Sequence, residues 1–452
     1  MVKDLTKGSP MKLILGFAVP LLFGFLFQQF YNVVDSIIVG KTLGPGPLAS
    51  VGVTGSINFL IIGFCMGCCN GFAIPLAHKF GAGDYAGLRR FVANCVYLCS
   101  VFAVVITILT TLYCRDILVL MKTPEDIIDG AYHYIWVIFL GIPVTFLYNM
   151  VSAIIRALGD SRTPVYFLVM SSVINIGLDL LFICVFSLGV AGAAWATVIA
   201  QTIAGISCLL FMIRKYEILH LQKAEWKADS NLMLTLCSMG VPMGLQYSIT
   251  AIGSVILQSA TNTLGSMAVA AVTAGNRVSS FLATPFDALG STMATYGGQN
   301  VGAGKLDRIG TGLKSAIALG AGYSAIAFVL CFFGGAKLAQ LFLNPEEMEV
   351  IGNVHFYLIC FTAFYFPLAL VNIIRFMIQG MGYPTFAILA GVFEMIARAA
   401  AGIFLVPRVG FLGSCLGSPL AWILADCFLI PAYFHVKKKT AVKLQKQGEI
   451  LL

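Results

Sequence analysis

Residues 12–38 read KLILGFAVPLLFGFLFQQFYNVVDSII. About 20 consecutive, mostly apolar residues are enough for a helix to cross the hydrocarbon of a bilayer, and this run exceeds that. Two residues break its uniformity, Pro20 and Asp35. A proline inside a helix removes one backbone hydrogen bond and bends the chain. Membrane helices tolerate this where neighbours satisfy the freed carbonyl. A carboxylate at membrane depth costs about 2.5–3.5 kcal/mol on insertion scales, so it faces a cavity or a partner. The run starts near Met11, is longer than the apolar core of a secretion signal, and has no small-residue cleavage site after it. It is read as an anchor that stays.

Eleven further runs of this kind follow, several interrupted by Gly or by Pro143, Pro242, Pro285 and Pro367. The whole chain of 452 residues is 59% hydrophobic and 11% charged, against about 25% charged in soluble domains. Its solvent is therefore lipid. The net charge of +8 would suggest nucleic acid only if it formed a basic face on a soluble domain. Its distribution excludes that. With the N-terminus inside, 21 Lys and Arg fall on inner segments, among them Lys3, Arg89, Arg162, Lys227, Arg308, Arg375 and Lys437. Only Lys41, Arg115, Lys122, Lys337 and Arg408 fall outside, and Arg277 and Arg398 lie within spans. Positive charge concentrates on the cytoplasmic side of membrane proteins, so both termini are expected there, in the cytoplasmic (inner) membrane. Thirteen cysteines, an odd number at irregular spacings, argue against a disulfide framework. Cys65-x2-Cys68-Cys69 has no second pair to complete a zinc site and reads as small packing residues at a helix interface.

The chain repeats itself. Ala18-Val19-Pro20 is echoed by Gly240-Val241-Pro242, Gly81-Ala82-Gly83 by Gly302-Ala303-Gly304, and Ala157-Leu158-Gly159 by Gly380-Met381-Gly382. Gly189-Val190-Ala191-Gly192 returns as Gly410-Phe411-Leu412-Gly413. The offset stays between 221 and 223 residues. The expected fold is an all-α polytopic membrane protein: twelve transmembrane helices in two parallel six-helix repeats around a central cavity. The expected parts are an N-terminal half at 1–213, a cytoplasmic linker at 214–231, a C-terminal half at 232–436 and a basic tail at 437–452. Paired repeats of this kind are a transporter architecture, in which one half rocks against the other.

Ionisable groups inside the spans carry the chemistry. Tyr31 and Asp35 lie four apart on one face of span 1, and Asn175 and Asp179 four apart on span 5. Span 4 offers Asn149 and span 6 Thr197. If these helices pack together, two carboxylates meet among neutral oxygens. Both cannot stay ionised cheaply in low dielectric, so they would share a proton or hold a small hard cation such as sodium.

With these residues, the chain resembles the multidrug and toxic compound extrusion (MATE) family over essentially its whole length. The resemblance rests on Pro20 and Asp35 in span 1, on Asn175-x3-Asp179, and on the Gly-Ala-Gly turns after spans 2 and 8, the second preceded by Gln299-Asn300. It implies an antiporter that expels amphipathic, often cationic compounds in exchange for protons or sodium. It also implies that Asp35, Asn175, Asp179 and Thr197 form the cation site, sodium being one candidate occupant, with Asn149 and Tyr31 beside it and Pro20 as a hinge. One branch of that family has a glutamate in span 7 and an aspartate in span 10. Here Thr250 and Asn372 stand near those places, which favours coupling through the N-terminal half.

The C-terminal half has Glu394 and Arg398 four apart, a spacing that permits an ion pair or a substrate-facing carboxylate. Gln246, Arg277 and Asp287 are further candidates for a substrate cavity, and Asp426 is a less clear one. The alternative function is a lipid-linked oligosaccharide flippase of a related superfold, which would call for a more cationic cavity. An enzyme is not expected: there is no His-Glu-x-x-His, no aspartate-rich metal motif and no phosphate loop. No cofactor is expected beyond the coupling ion, and a monomer suffices because the cavity lies within one chain.

Overall fold

The structure is a computed structural model that describes residues 3–121, 123–341 and 346–450. Lys122, counted above with the outer cations, lies outside them. The described residues are almost entirely helical, as they must be where hydrocarbon offers backbone groups no hydrogen-bond partner. The six spans of the first half are Pro10–Leu43, Gly55–Gly81, Tyr85–Leu112, the pair Glu125–Leu140 and Ile142–Ala157, Arg162–Asp179, and Gly189–Lys215. Those of the second half are Ser230–Asn262, Ser266–Gly302, Leu306–Ala339, the pair Met348–Ala363 and Tyr365–Gly380, Thr385–Ala400, and Phe411–Ile450. Span 8, Ser266–Gly302, is the one too polar to qualify on hydropathy alone, because Arg277, Asp287 and many Gly, Ser and Thr residues dilute it.

The backbone repeats its irregularities as faithfully as its helices. Spans 4 and 10 are both bent, by 47° and 48°. Spans 5 and 11 both loosen into a π-helical turn, at Leu180–Val185 and Ala401–Leu405. Positive φ recurs in pairs: Gly44 with Gly265, Gly83 with Gly304, Gly159 with Gly382, and Gly189 with Gly410. A side chain with a Cβ is strained in that region, so glycine is selected where a helix must end in a left-handed turn.

Two compact units emerge. Unit 1 comprises Met1–Asp4 and Phe23–Gly244, and unit 2 comprises Leu5–Leu22 and Leu245–Leu452. The boundaries thus fall inside the first helix of each repeat, a few residues after Pro20 and Pro242, and not in the polar connection between halves. Span 1 itself is helical without interruption through Pro20. In unit 1, spans 2 and 7 approach closely through glycine. A Cβ on Gly67 or Gly71 would run into the backbone of Met243–Gly244 or Met239–Gly240. Such small-residue contacts replace the hydrophobic driving force that lipid removes. Cys65, Cys68 and Cys69 are fully buried in the same region.

The connection expected as a linker at 214–231 is a folded part of unit 1, with short 3-10 turns at Glu217–Leu219 and Lys223–Trp226. Arg89 pairs with Glu225 at 2.7 Å and Arg90 with Asp229 at 2.8 Å. The N–H of Asp229 donates to Asn94 (2.9 Å), and the Tyr97 hydroxyl donates to the Trp226 carbonyl (2.7 Å). At the preceding turn, Asp84 caps span 3 by accepting from the Gly87 N–H at 2.8 Å. Lys79 and that N–H hold its carboxyl below the ordinary aspartate range. The stretch expected as a basic tail from 437 continues the last helix as far as Ile450.

Two glycines separate backbone strain from crowding. Gly83 has φ +72 with open space around a hypothetical Cβ, whereas Gly159 has φ +83 and would drive a Cβ into the Lys3 carbonyl. Gly83→Ala should cost about 1 kcal/mol from the left-handed conformation alone. Gly159→Ala should lower the thermal midpoint further, because it also disrupts the Lys3 N–H to Leu158 carbonyl bond. Thermal unfolding of the two variants in nanodiscs tests this, and equal losses would contradict it.

Candidate functional site

Unit 1 gathers most of the residues expected to hold a cation. Span 1 brings Tyr31 and Asp35, one turn apart, against the last turn of span 5. There Asn175 and Asp179 are 2% and 0% exposed. The carboxyls of Asp35 and Asp179 are within hydrogen-bonding reach of each other. The Oδ1 atom of each is buried without a partner. In the amide orientation that satisfies both ends, Asn175 donates to Asp179 Oδ2 at 3.3 Å. Its oxygen then accepts from Thr197, from Oγ1 at 3.3 Å and from the backbone N–H at 3.2 Å. The opposite orientation turns the amide oxygen toward Asp179 and lets Nδ2 donate to Thr197 Oγ1. Asn175 thus links Asp179 on span 5 to Thr197 on span 6.

Tyr31 lies within electrostatic range of both carboxyls, and so does Tyr134 of span 4. Tyr134 escapes sequence reasoning because it sits in an apolar stretch with no polar neighbour at helical spacing. The Asn149 amide donates to the Thr145 carbonyl of its own helix at 2.8 Å, as the Thr197 hydroxyl donates to the Ala193 carbonyl at 3.1 Å. Among the described residues, no Lys, Arg or His pairs with Asp35 or Asp179. Two charges about 4 Å apart at an effective dielectric near 20 interact by about 4 kcal/mol. Ionising both carboxyls is therefore unfavourable by that order, and one proton or one cation relieves it. The π-helical turn Leu180–Val185 begins directly after Asp179, a distortion often found at functional positions.

Unit 2 builds a different cluster at the corresponding place. Glu394 is shared: Oε1 takes Arg375 and Oε2 takes Arg398 at 3.2 Å. Arg375 thus differs from its sequence assignment to an inner segment. It lies 5% exposed inside Tyr365–Gly380, because the helix runs on past the end of the apolar run that delimits it in the sequence. Glu394 and Arg398 consequently do not cancel as an isolated pair, since one carboxylate serves two guanidiniums. Gln379, one turn from Arg375, donates to Gln246 Oε1 at 2.5 Å. Glu394, Arg398 and Gln246 are all buried, while Arg277 and Asp287 are exposed on span 8.

Comparison with known proteins places this geometry in context. A family model described as MatE matches residues 20–181 and again 242–403, two stretches that begin 222 residues apart. The probable multidrug resistance protein YpnP of Bacillus subtilis is 29% identical over 375 residues, covering 82% of each chain. The probable multidrug resistance protein YoeA of the same organism is 27% identical over 436 residues, covering 94% of each. Among solved structures, one described as an outward-facing multidrug resistance MATE family transporter of the MOP superfamily superposes with a TM-score of 0.90. It is 21% identical and covers 97% of this chain and 98% of its own, a likeness of fold.

The two clusters should respond oppositely to neutralisation. Glu394→Gln leaves two buried guanidiniums without a carboxylate, and breaking a buried pair costs about 3–5 kcal/mol. Asp35→Asn or Asp179→Asn instead removes a like-charge contact and should leave the thermal midpoint unchanged or raised. Thermal unfolding in nanodiscs at neutral pH distinguishes them, and a stable Glu394→Gln variant would contradict the charge assignment of unit 2.

Proposed function

The chain belongs to the MatE family, and from that premise we propose that it is a secondary active exporter. It expels amphipathic, chiefly cationic compounds from the cytoplasm in exchange for a coupling ion bound in unit 1. The observation that carries this reading is the meeting of Asp35 and Asp179 beside Asn175 and Thr197, with no cationic side chain paired to either acid. Relatives named as multidrug resistance proteins over most of the chain support the substrate class. The proposed setting is the cytoplasmic membrane with both termini inside. Moving Arg375 into a span leaves 20 cations on the inner side against 5 outside, so the orientation argument stands.

We favour the proton over sodium as the coupling ion. The carboxyl pair by itself, with Asn175 hydrogen-bonded to Asp179, suffices to hold one proton. Sodium would need the amide reversed and the oxygens of Asp35, Asp179, Asn175 and Thr197 drawn together. A proton needs only one of the two carboxyls. In the proposed cycle, a proton from outside enters the pair and joins the two acids by a hydrogen bond. Asn175 turns its oxygen toward the new O–H. Span 1 then changes its bend at Pro20, and the substrate is released outward. Loss of the proton to the cytoplasm restores the anionic pair and readmits a cationic substrate. Transport requires that proton and substrate prefer different states, because a ligand with equal affinity for both shifts nothing.

Efflux of ethidium from proteoliposomes under an imposed pH gradient, and separately under a sodium gradient at constant pH, tests the reading. The pH gradient should drive efflux and the sodium gradient alone should not. Asp35→Asn and Asp179→Asn should each reduce driven efflux more than about tenfold, the loss of about 1.4 kcal/mol or more of coupling. Undiminished efflux by Asp35→Asn would sink the proposal, and efflux driven by sodium alone would reassign the ion.

A further inference from the structure

The proton cycle leaves the charged cluster of unit 2 unused. Arg375 and Arg398 are each 5% exposed, and Glu394, 3% exposed, is shared between them. Among the described residues, no other acid makes an ion pair with either arginine. Two guanidiniums thus share one ion-paired carboxylate where the desolvation of an ion costs several kcal/mol. A guanidinium also carries five N–H donors. Here Arg375 Nε, Arg398 Nε and Arg398 Nη1 are buried without a hydrogen-bond partner. The open acceptors nearby are fewer, Gln379 Oε1 and Asp426 Oδ1. Asp426, on the last span, is close enough to Arg375 to interact electrostatically but forms no ion pair with it.

We propose that Arg375 and Arg398 form an anion-binding site within unit 2, taking a halide-sized ion or the carboxylate of an amphipathic compound. The open donors, three against two open acceptors, all belong to guanidiniums that share a single ion-paired carboxylate. Water satisfies the donors but leaves two guanidiniums on one ion-paired carboxylate. A cation meets two guanidiniums and is excluded. An anion answers both, and guanidinium is the side chain whose planar fork suits a carboxylate. Asp426 is then the internal competitor, a tethered carboxylate close to Arg375 that an incoming anion must displace electrostatically. This site does not depend on the proton cycle and can be tested by binding alone.

The test is thermal unfolding of the full chain in nanodiscs at constant sodium and constant ionic strength. Gluconate serves as the inert anion and is replaced stepwise by bromide or by salicylate. A saturable rise of the midpoint is expected. A response to bromide alone assigns an inorganic ion, and a response to salicylate alone assigns an organic carboxylate. Arg398→Gln should weaken the response at least about tenfold, since hydrogen bonds to charged groups contribute about 1.5–3 kcal/mol. Asp426→Asn should tighten it, moving half-saturation to lower concentration. A midpoint indifferent to both anions would overturn the proposal, as would an anion response that survives Arg398→Gln. If Arg398→Gln does not fold, Asp426→Asn decides: tighter binding supports the site, and unchanged half-saturation rejects it.

Discussion

Two carboxyl groups held against each other, with no positive side chain among the described residues paired to either, are the contact on which the rest of this molecule turns. In water such a pair would be trivial. In a low-dielectric interior Asp35 and Asp179 make the charge state of unit 1 depend on what comes from outside it. Everything around them preserves that dependence. Asp179 is fully buried, Asn175 donates its amide to it, and Tyr31 and Tyr134 lie within electrostatic range without carrying charge. A lysine or arginine at any of these positions would settle the charge permanently and remove the dependence.

The repeat supplies the scaffold for this chemistry and a control for it. Bends of 47° and 48°, two π-helical turns and four pairs of left-handed glycines show that both halves follow one backbone plan. The side chains at the matching places have diverged in sign. Asp179 stands just before one π turn, and Arg398 stands shortly before the other. One cluster has two acids and no ion-paired cation among the described residues, and the other has two guanidiniums on one ion-paired acid. A duplicated backbone can carry opposite electrostatics because hydrogen-bonded helical geometry and side-chain charge are separately specified.

Much of this was legible in the sequence, for a physical reason. Lipid forces long apolar runs, and a carboxylate inside such a run is costly enough to be conspicuous, so Asp35 and Asp179 stood out, with Asn175 one helical turn away. The repeat was legible because glycine is selected at left-handed turns and recurs at a nearly fixed offset. Reading failed where a helix outlasts its apolar stretch. Arg375 was placed with the inner loops because polar residues near the end of a span look alike whether they face water or a buried partner. Tyr134 was missed because an aromatic residue in a membrane helix gives no sign of which face its hydroxyl takes. The ends of Asn149's amide were equally unreadable: only packing shows that it turns back on its own helix.

The docked connection at 214–231 bears on how the duplicated gene product became one protein. Two copies joined end to end need only a tether, and a tether is free to vary. Here Glu225, Trp226 and Asp229 are bound to Arg89, Arg90, Asn94 and Tyr97 of span 3, so the join has been absorbed into the N-terminal copy as part of its own structure. Severing the chain there would not yield two equivalent halves. It would free from unit 1 a segment that holds two ion pairs and further hydrogen bonds with span 3, for which an interchangeable tether is no substitute.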